Sequence, residues 1–283
     1  MTGLPLSYDV GSVKRTQSPT YGVWGLRFVA LSYLVLFIVV PLVVIQVQGV
    51  RYGLDVFWQS VIRPEALSAI TLSVYTSAIM AVINTVAGTL TAYVLVRYKF
   101  PGKRLFNTLI DLPFAIPTLV IGVMLVVLYG PQTAIGKFFT NELNFRILFA
   151  TPGIVMALLF VGYPFVIRTV QPVLLQMDAS QSEAAQTIGA GAWTTFRRII
   201  FPAIRPAIVT GALLSFARSL GEFGSVIVVA GNIPMRSQTA TVYIYTQVEA
   251  GNMQAASSVS MVLLLIAFSI TVGVDLLQWR RHA

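Results

Sequence analysis

The sequence predicts an all-α polytopic membrane protein of six transmembrane helices, with both ends on the inner side of the membrane. Three observations carry that expectation. Of the 283 residues, 56% are apolar and only 10% charged, whereas a soluble domain carries roughly 25% charged residues. The apolar residues gather into six runs near the ~20 residues needed to cross the hydrocarbon core. Lysine and arginine, finally, crowd at alternate ends of those runs.

The runs fall at about 24–46, 69–96, 105–129, 149–170, 206–230 and 257–277. Stretches such as LSYLVLFIVVPLVVI and SVSMVLLLIAFSITV are continuously apolar. Barrel strands alternate polar and apolar residues, so helices are the expected form. Residues 1–23 are polar with scattered Gly and Pro and are expected to form a cytoplasmic tail, ahead of a six-helix transmembrane domain over 24–278. The first run is too long for a secretory leader and lacks a small-residue cleavage pattern. The third run contains DLPFAIPTLVIG, where Pro113 and Pro117 each remove a backbone donor and predict helix kinks. Pro152 and Pro206 stand where the fourth and fifth spans are expected to begin. Asp111 is expected to have a structural partner, and Asp275 to snorkel or pair with Arg280 or Arg281.

Orientation follows from the cations. Placing the N-terminus inside puts Lys14, Arg15, Arg27, Arg97, Lys99, Lys103, Arg104, Arg168, Arg197, Arg198, Arg205, Arg280 and Arg281 on the inner side. Arg51, Arg63, Lys137, Arg146 and Arg236 fall outside. Inner loops carry the excess of Lys and Arg, which predicts both ends in the cytoplasm. The net charge of +9 is dispersed over helix ends rather than gathered on one face, so no nucleic-acid partner is expected. There is no cysteine, and the single histidine is His282. Thiolate metal sites, disulfides and histidine-based catalysis are excluded, and no catalytic, cofactor or metal residue is assigned. G-x-x-x-x-G-K-[ST] is also absent, so any ATP-driven work needs a partner to hold the nucleotide.

The inner loop between spans four and five, about 172–205, is the least membrane-like part of the chain. Its segment MDASQSEAAQTIGAG offers Ser180 and Glu183 as a capping box, with Asp178 as a rival cap. Ala184, Ala185 and Ile188 give the helix that follows a small-sided face. Gly189 is placed to end it in the left-handed conformation, and Gly191 keeps the turn open. A second helix follows with Trp193, Phe196 and Ile200 on one face and Arg197 and Arg198 elsewhere. Pro202 is expected to end it. A membrane-lying helix would show bulky side chains where these alanines stand, so the loop reads as a docking surface for another protein.

The same residues carry a resemblance. EAAQTIG, nine residues, then IIFP resembles the EAA signature of permease subunits of bacterial ABC importers. Glu183, Ala184, Ala185, Gly189, Ile199 and Pro202 match, and Phe201 stands where leucine is usual. The resemblance covers about 24–278. It implies a type I ABC importer permease fold, and it makes the loop the coupling helix that inserts into a cytoplasmic ATPase subunit.

Span five contains ARSLGEFGSVIVVAGN. Arg218 lies 12 residues past Pro206, or about 18 Å along a helix, near or just past the middle of the bilayer. Such a charge must be paired or face a water-filled cavity. Glu222, at i+4, can neutralise it. Two roles stand open: a structural ion pair, or a guanidinium fork that helps an oxyanion pass while Glu222 limits how tightly it is held. Gly221 and Gly224 would let a neighbouring helix or an ion come close.

This stretch resembles the R-x-L-G-E-F-G segment of sulfate/thiosulfate and molybdate permeases, and DLPFAIPTLVIG resembles their third-span motif. The continuation VIVVAGNIPMRSQTATVYIYTQVEAGNMQAASS is closest to the T-type (U-type) sulfate permease. The resemblance implies a multi-pass subunit of the bacterial cytoplasmic (inner) membrane that imports sulfate or thiosulfate. It also implies a W-type permease partner, two ATPase subunits that use the ATP, and a periplasmic binding protein. A homodimeric molybdate or tungstate permease is the nearer alternative. An ion-coupled secondary anion transporter is the alternative from another class, although no inverted repeat is found and Glu222 is the only central carboxylate.

Overall fold

The computed structural model describes residues 20–282, and within them every regular element is helical. The expected tail lies outside the described residues up to residue 19, Lys14 and Arg15 with it. The side chains of Asp275, Arg280, Arg281 and His282 are outside them too, so the expected pairing of Asp275 is not described. Five helices have the length and apolarity to cross a membrane: Val23–Val50, Pro64–Arg97, Thr151–Gln176, Ala192–Leu220 and Met253–Gly273. A bent pair, Lys103–Ala115 and Thr118–Tyr129, makes a sixth when the two are counted as one span.

The chain divides into two compact units, residues 1–45 and 46–283. The first holds α1 (Thr20–Leu34), a π-helical turn (Val35–Val39) and the start of α2 (Val40–Val50). Its side chains from Trp24 to Val44 are all exposed. A helix apolar on every side is stable only against lipid or another apolar surface. At the π turn the Val40 amide bonds to the Val35 carbonyl, five residues back, immediately before Pro41.

The second unit is built on three long helices: α4 (Pro64–Arg97), α8 (Thr151–Gln176) and α11 (Phe201–Leu220). On α4 the buried positions Ala66, Ala69, Ser73, Ser77, Ala81, Asn84, Gly88 and Ala92 recur at three- and four-residue steps, all but Asn84 small. Lipid gives no hydrophobic drive between helices, so small residues that admit close backbone approach do the packing. Buried polar groups find partners across the helices: Asn84 donates to the Leu159 carbonyl at 3.1 Å, and Ser215 to the Gly162 carbonyl at 3.0 Å. The chain also forms the shorter helices α3 (Leu54–Val61), α7 (Ala134–Glu142) and α13 (Ala240–Glu249), which the apolar runs do not announce, and the long α14 (Met253–His282). Pro152 sits in the first turn of α8, as expected.

Three expectations are corrected. The third span is not one kinked helix. It is α5 (Lys103–Ala115) and α6 (Thr118–Tyr129), set at 110° to one another. Ile116 is extended (φ −82°, ψ 128°) because the following Pro117 forbids it the helical region. Pro113, by contrast, is accommodated inside α5. With 12 residues, α6 is about 18 Å long, too short to cross the bilayer alone.

The fifth span, next, does not begin at Pro206 or run to 230. One helix extends from Ala192 to Leu220 through α10 (Ala192–Thr195), a π turn (Phe196–Ile200) and α11. It then breaks, and a short α12 (Gly224–Ala230) follows. Pro202 therefore does not end the second loop helix. The Phe201 amide bonds to the Phe196 carbonyl, so the widened turn displaces the carbonyls a proline ring would strike. Lastly, α9 (Ala179–Thr187) already contains Ser180 in its first turn. The cap is Asp178, whose Oδ1 accepts the Ser180 amide at 2.9 Å, rather than a Ser180–Glu183 box.

Candidate functional site

The loop between α8 and α11 is a helix, a glycine turn and a helix, as its residues predict. Asp178 caps α9, and accepting the Ser180 backbone amide and then the Ser180 hydroxyl holds its carboxyl below the usual range. Gly189 has φ +80°, and the Ala190 amide reaches back to the Ala185 carbonyl at 3.0 Å, closing the helix end. Around this turn Glu183 and Ala184 are exposed, while Ala185 is buried. Ile188 and Trp193, flanking the turn, are 84% and 71% exposed. The second helix is anchored beneath them. Phe196 packs edge-on against Tyr93 of α4 at 5.6 Å, and Ile200 is buried in the cluster formed by α4, α8 and α11. Ile199 is half-buried, and Arg197, Arg198, Phe201 and Pro202 are exposed. The loop thus shows two bulky apolar groups on a stiff, anchored turn.

Because Ala192–Leu220 is continuous, this surface is joined by one helix to Arg218, in the last turn of α11. The expected ion pair is present: Arg218 Nη1 lies 2.9 Å from Glu222 Oε2. Their environments differ sharply, the side chains being 36% and 1% exposed. Glu222 also has duties that its spacing does not reveal. Its Oε1 accepts from the Ser225 amide at 3.1 Å and the Ser225 hydroxyl at 2.9 Å, and its carbonyl accepts from Thr241 at 2.7 Å. Glu222 is therefore the joint that starts α12 after the break.

The breaks in spans three and five meet. Gly224 opens α12 against Thr118 and Leu119 at the start of α6, and the two short helices run side by side in one direction from there. Gly224 is required by that approach, since a Cβ there would lie 3.0 Å from the Leu119 nitrogen. Gly221, in contrast, is exposed, and a Cβ there would meet only the Arg218 carbonyl oxygen of its own turn, at 3.8 Å, so it brings no other helix close. A separate apolar cavity of about 1080 Å3 opens between α4, α5, α6 and α8, with Pro113 in its wall. Neither Arg218 nor Glu222 lines it.

Sequence reasoning gave Asp111 a partner without naming it and treated Arg168 as a topological charge. The two form a forked pair, Arg168 Nε to Asp111 Oδ1 at 2.7 Å and Nη2 to Oδ2 at 2.6 Å. They are 57 residues apart, and no local spacing signals the contact.

Comparison with known proteins places most of the chain. The family described as "Binding-protein-dependent transport system inner membrane component" matches residues 84–280. A probable sulfate transport system permease protein cysT of Chlorokybus atmophyticus is 40% identical over 248 residues, covering 88% of this chain and 86% of the relative. The sulfate transport system permease protein CysT of Synechocystis sp. is 39% identical over 257 residues, 90% of each chain. Among solved structures, a chain of a bacterial alginate ABC transporter superposes with TM-score 0.76 at 18% identity, covering 92% of this chain and 94% of that one. That likeness shows a shared fold. On these matches the chain belongs to the family of binding-protein-dependent transport system inner membrane components, alongside permeases of the CysT type.

Proposed function

We propose that this chain is the transmembrane subunit of an ATP-driven importer of sulfate, and that it forms half of the translocation pathway. The substrate class rests on relatives named as sulfate permeases that align with about nine-tenths of the chain. Thiosulfate is the nearest further cargo. The chain is not itself an enzyme. It binds no cofactor, and ATP is hydrolysed by two cytoplasmic ABC subunits. A periplasmic binding protein delivers the anion, and a homologous W-type permease completes the pathway in the bacterial cytoplasmic membrane, with both ends of this chain inside.

One observation carries the coupling role: the capped, glycine-turned loop that presents Ile188 and Trp193 continues as a single helix to the Arg218–Glu222 pair. Glu183, Ala184, Ala185, Gly189, Ile199, Phe201 and Pro202 are the coupling residues in this reading. A force applied at the loop reaches the break at Gly221–Phe223 without a flexible linker. There Arg218 offers a fork suited to a tetrahedral oxyanion. Glu222, held by Ser225 and Thr241, stays behind as a neutralising neighbour that keeps the anion from being trapped. Gly224 permits the close packing of the two breaks, and Gly221, exposed and without a side chain, leaves room beside Arg218.

Uptake of radiolabelled sulfate in cells with and without the protein, with thiosulfate and molybdate as competitors, tests the substrate. Molybdate or tungstate uptake in place of sulfate would transfer the reading to that class. Uptake surviving ATP depletion under an intact proton gradient would favour an ion-coupled carrier. Arg218→Ala should abolish sulfate uptake while the ATPase still co-purifies, and Arg218→Lys, which keeps the charge but loses the fork, should also impair uptake. Collapse of assembly in both would make the pair structural.

A further inference from the structure

The forked pair between α5 and α8 lies on a helix that ends at the coupling loop. Arg168 stands eight residues before Gln176, the last residue of α8, and Asp178 and α9 follow directly. All five guanidinium N–H donors are engaged. Besides the two bonds to Asp111, Nη1 donates to Asn107 Oδ1 at 3.1 Å and Gln171 Oε1 at 2.6 Å, and Nη2 donates to the Asn107 carbonyl at 2.9 Å. Three contacts line up antiparallel along the two helices. Phe114 meets Phe165 edge-on at 5.3 Å, Asp111 meets Arg168, and Asn107 meets Gln171 at 3.3 Å.

The part of α8 beneath this ladder is soft at both ends and pinned in the middle. Pro164 and Pro172 lie inside the helix, four residues to either side of Arg168. Pro172 lacks the amide that would bond to the Arg168 carbonyl, and Pro164 lacks the one that would bond to Phe160. Between them the fully buried Val166 is gripped from two sides. A Cβ added at Gly88 of α4 would lie 2.9 Å from Val166 Cβ, and one at Gly211 of α11 would lie 2.9 Å from Val166 Cα. That grip is a fulcrum, and the prolines let α8 bend about it. The Arg168 and Asp111 side chains are 29% and 46% exposed, so the pair adds little net stability. What the five bonds fix is the register of α5 on α8. From Asp111, α5 runs to the 110° break, where α6 packs on α12 beside Glu222.

We propose that Arg168 is a positioning residue: through Asp111 and Asn107 it transmits bending of α8, imposed at the coupling loop, to α5 and the break before α6. The proposal rests on the coupling reading above. Its test uses the complete complex in proteoliposomes, with ATP hydrolysis and radiolabelled sulfate uptake measured together. Arg168→Gln and Asp111→Asn should keep hydrolysis near the wild-type rate while uptake per ATP falls by about tenfold, the size of a typical coupling free energy. The chain has no cysteine, so Asn107→Cys with Gln171→Cys in the Arg168→Gln background supplies the only thiols in this chain. Oxidation should restore uptake per ATP, and reduction should remove it again. Wild-type uptake per ATP in the single variants, or loss of ATPase co-purification that oxidation does not reverse, overturns the proposal. A wild-type complex whose uptake ignores ATP refutes the coupling reading instead, which keeps the two failures apart.

Discussion

Two arginines in this protein hold carboxylates at similar distance and in opposite ways. Arg168 uses every donor it has, bridges two helices, and faces a carboxylate that is nearly half exposed. Arg218 reaches one oxygen of a carboxylate four residues away, and there it is the carboxylate that is buried, its other oxygen held by the amide and hydroxyl of Ser225. At the first site the arginine is the fixed member; at the second it is the movable one. A fully engaged guanidinium sets geometry, whereas a half-exposed guanidinium beside an anchored partner can exchange that partner for a passing anion.

That contrast can be broken most severely at Glu222. Glu222→Ala leaves the Ser225 donors and the Arg218 charge without their partner, a loss of about 3 kcal/mol. The complex should unfold at markedly lower temperature in detergent, well below the Arg218→Lys variant, and equal unfolding temperatures would reverse the assignment of fixed and movable members. A change that feeds both pairs at once comes next. Gly189→Val places a β-branched side chain at φ +80°, costing about 1–2 kcal/mol locally. No atom lies within 4 Å of the added Cβ, so membrane insertion should be intact while the recovered ATPase falls. Unchanged co-purification and uptake would count against the loop as the input. A smaller effect is expected from Arg168→Lys, which keeps the charge and loses the fork. Uptake per ATP should drop by roughly fivefold, less than in Arg168→Gln. Full activity would show that charge alone suffices there, as it should not at Arg218.

The smallest effect concerns Asp178. Its folded pKa is lowered, so the cap contributes stability above the ordinary carboxylate range and loses it as pH falls through the depressed value. Hydrogen exchange over residues 179–187, taken relative to the intrinsic rate at each pH, should therefore quicken between neutral and strongly acidic pH in the wild type. In Asp178→Ala it should be fast at both, and a flat wild-type profile would remove Asp178 as the cap.

The number of apolar segments and the glycine turn at 189 were legible because each depends on residues close in sequence. Helix ends were less so. Pro206 and Pro202 look like boundaries, yet the π turn at Phe196–Ile200 absorbs the ring and the helix continues. Pro117 looks like a kink, yet nothing local distinguishes it from Pro113, which stays inside its helix. The difference is made by where each freed carbonyl finds itself in the packed unit. At the candidate site the i,i+4 pair of Arg218 and Glu222 was readable, since a helix puts those positions together. The capping of α12 by Glu222 was hidden because it requires a break within an apolar run. The Arg168 cluster was hidden because its members lie 57 to 64 residues apart.

The π turn between Trp193 and Arg218 has one more effect. Each residue of an α-helix advances the side chains by about 100° around the axis, and a widened turn fits in roughly one residue that adds no such advance. The azimuth of the docking groups relative to the guanidinium is therefore that of a helix one residue shorter. Deleting one residue at 196–200 would close the turn to an ordinary α-helix and keep Trp193 at its azimuth, whereas a deletion elsewhere between Trp193 and Arg218 would rotate it by about a quarter turn. Chimeras that exchange this loop between relatives must keep its residue count outside that turn as carefully as its motif.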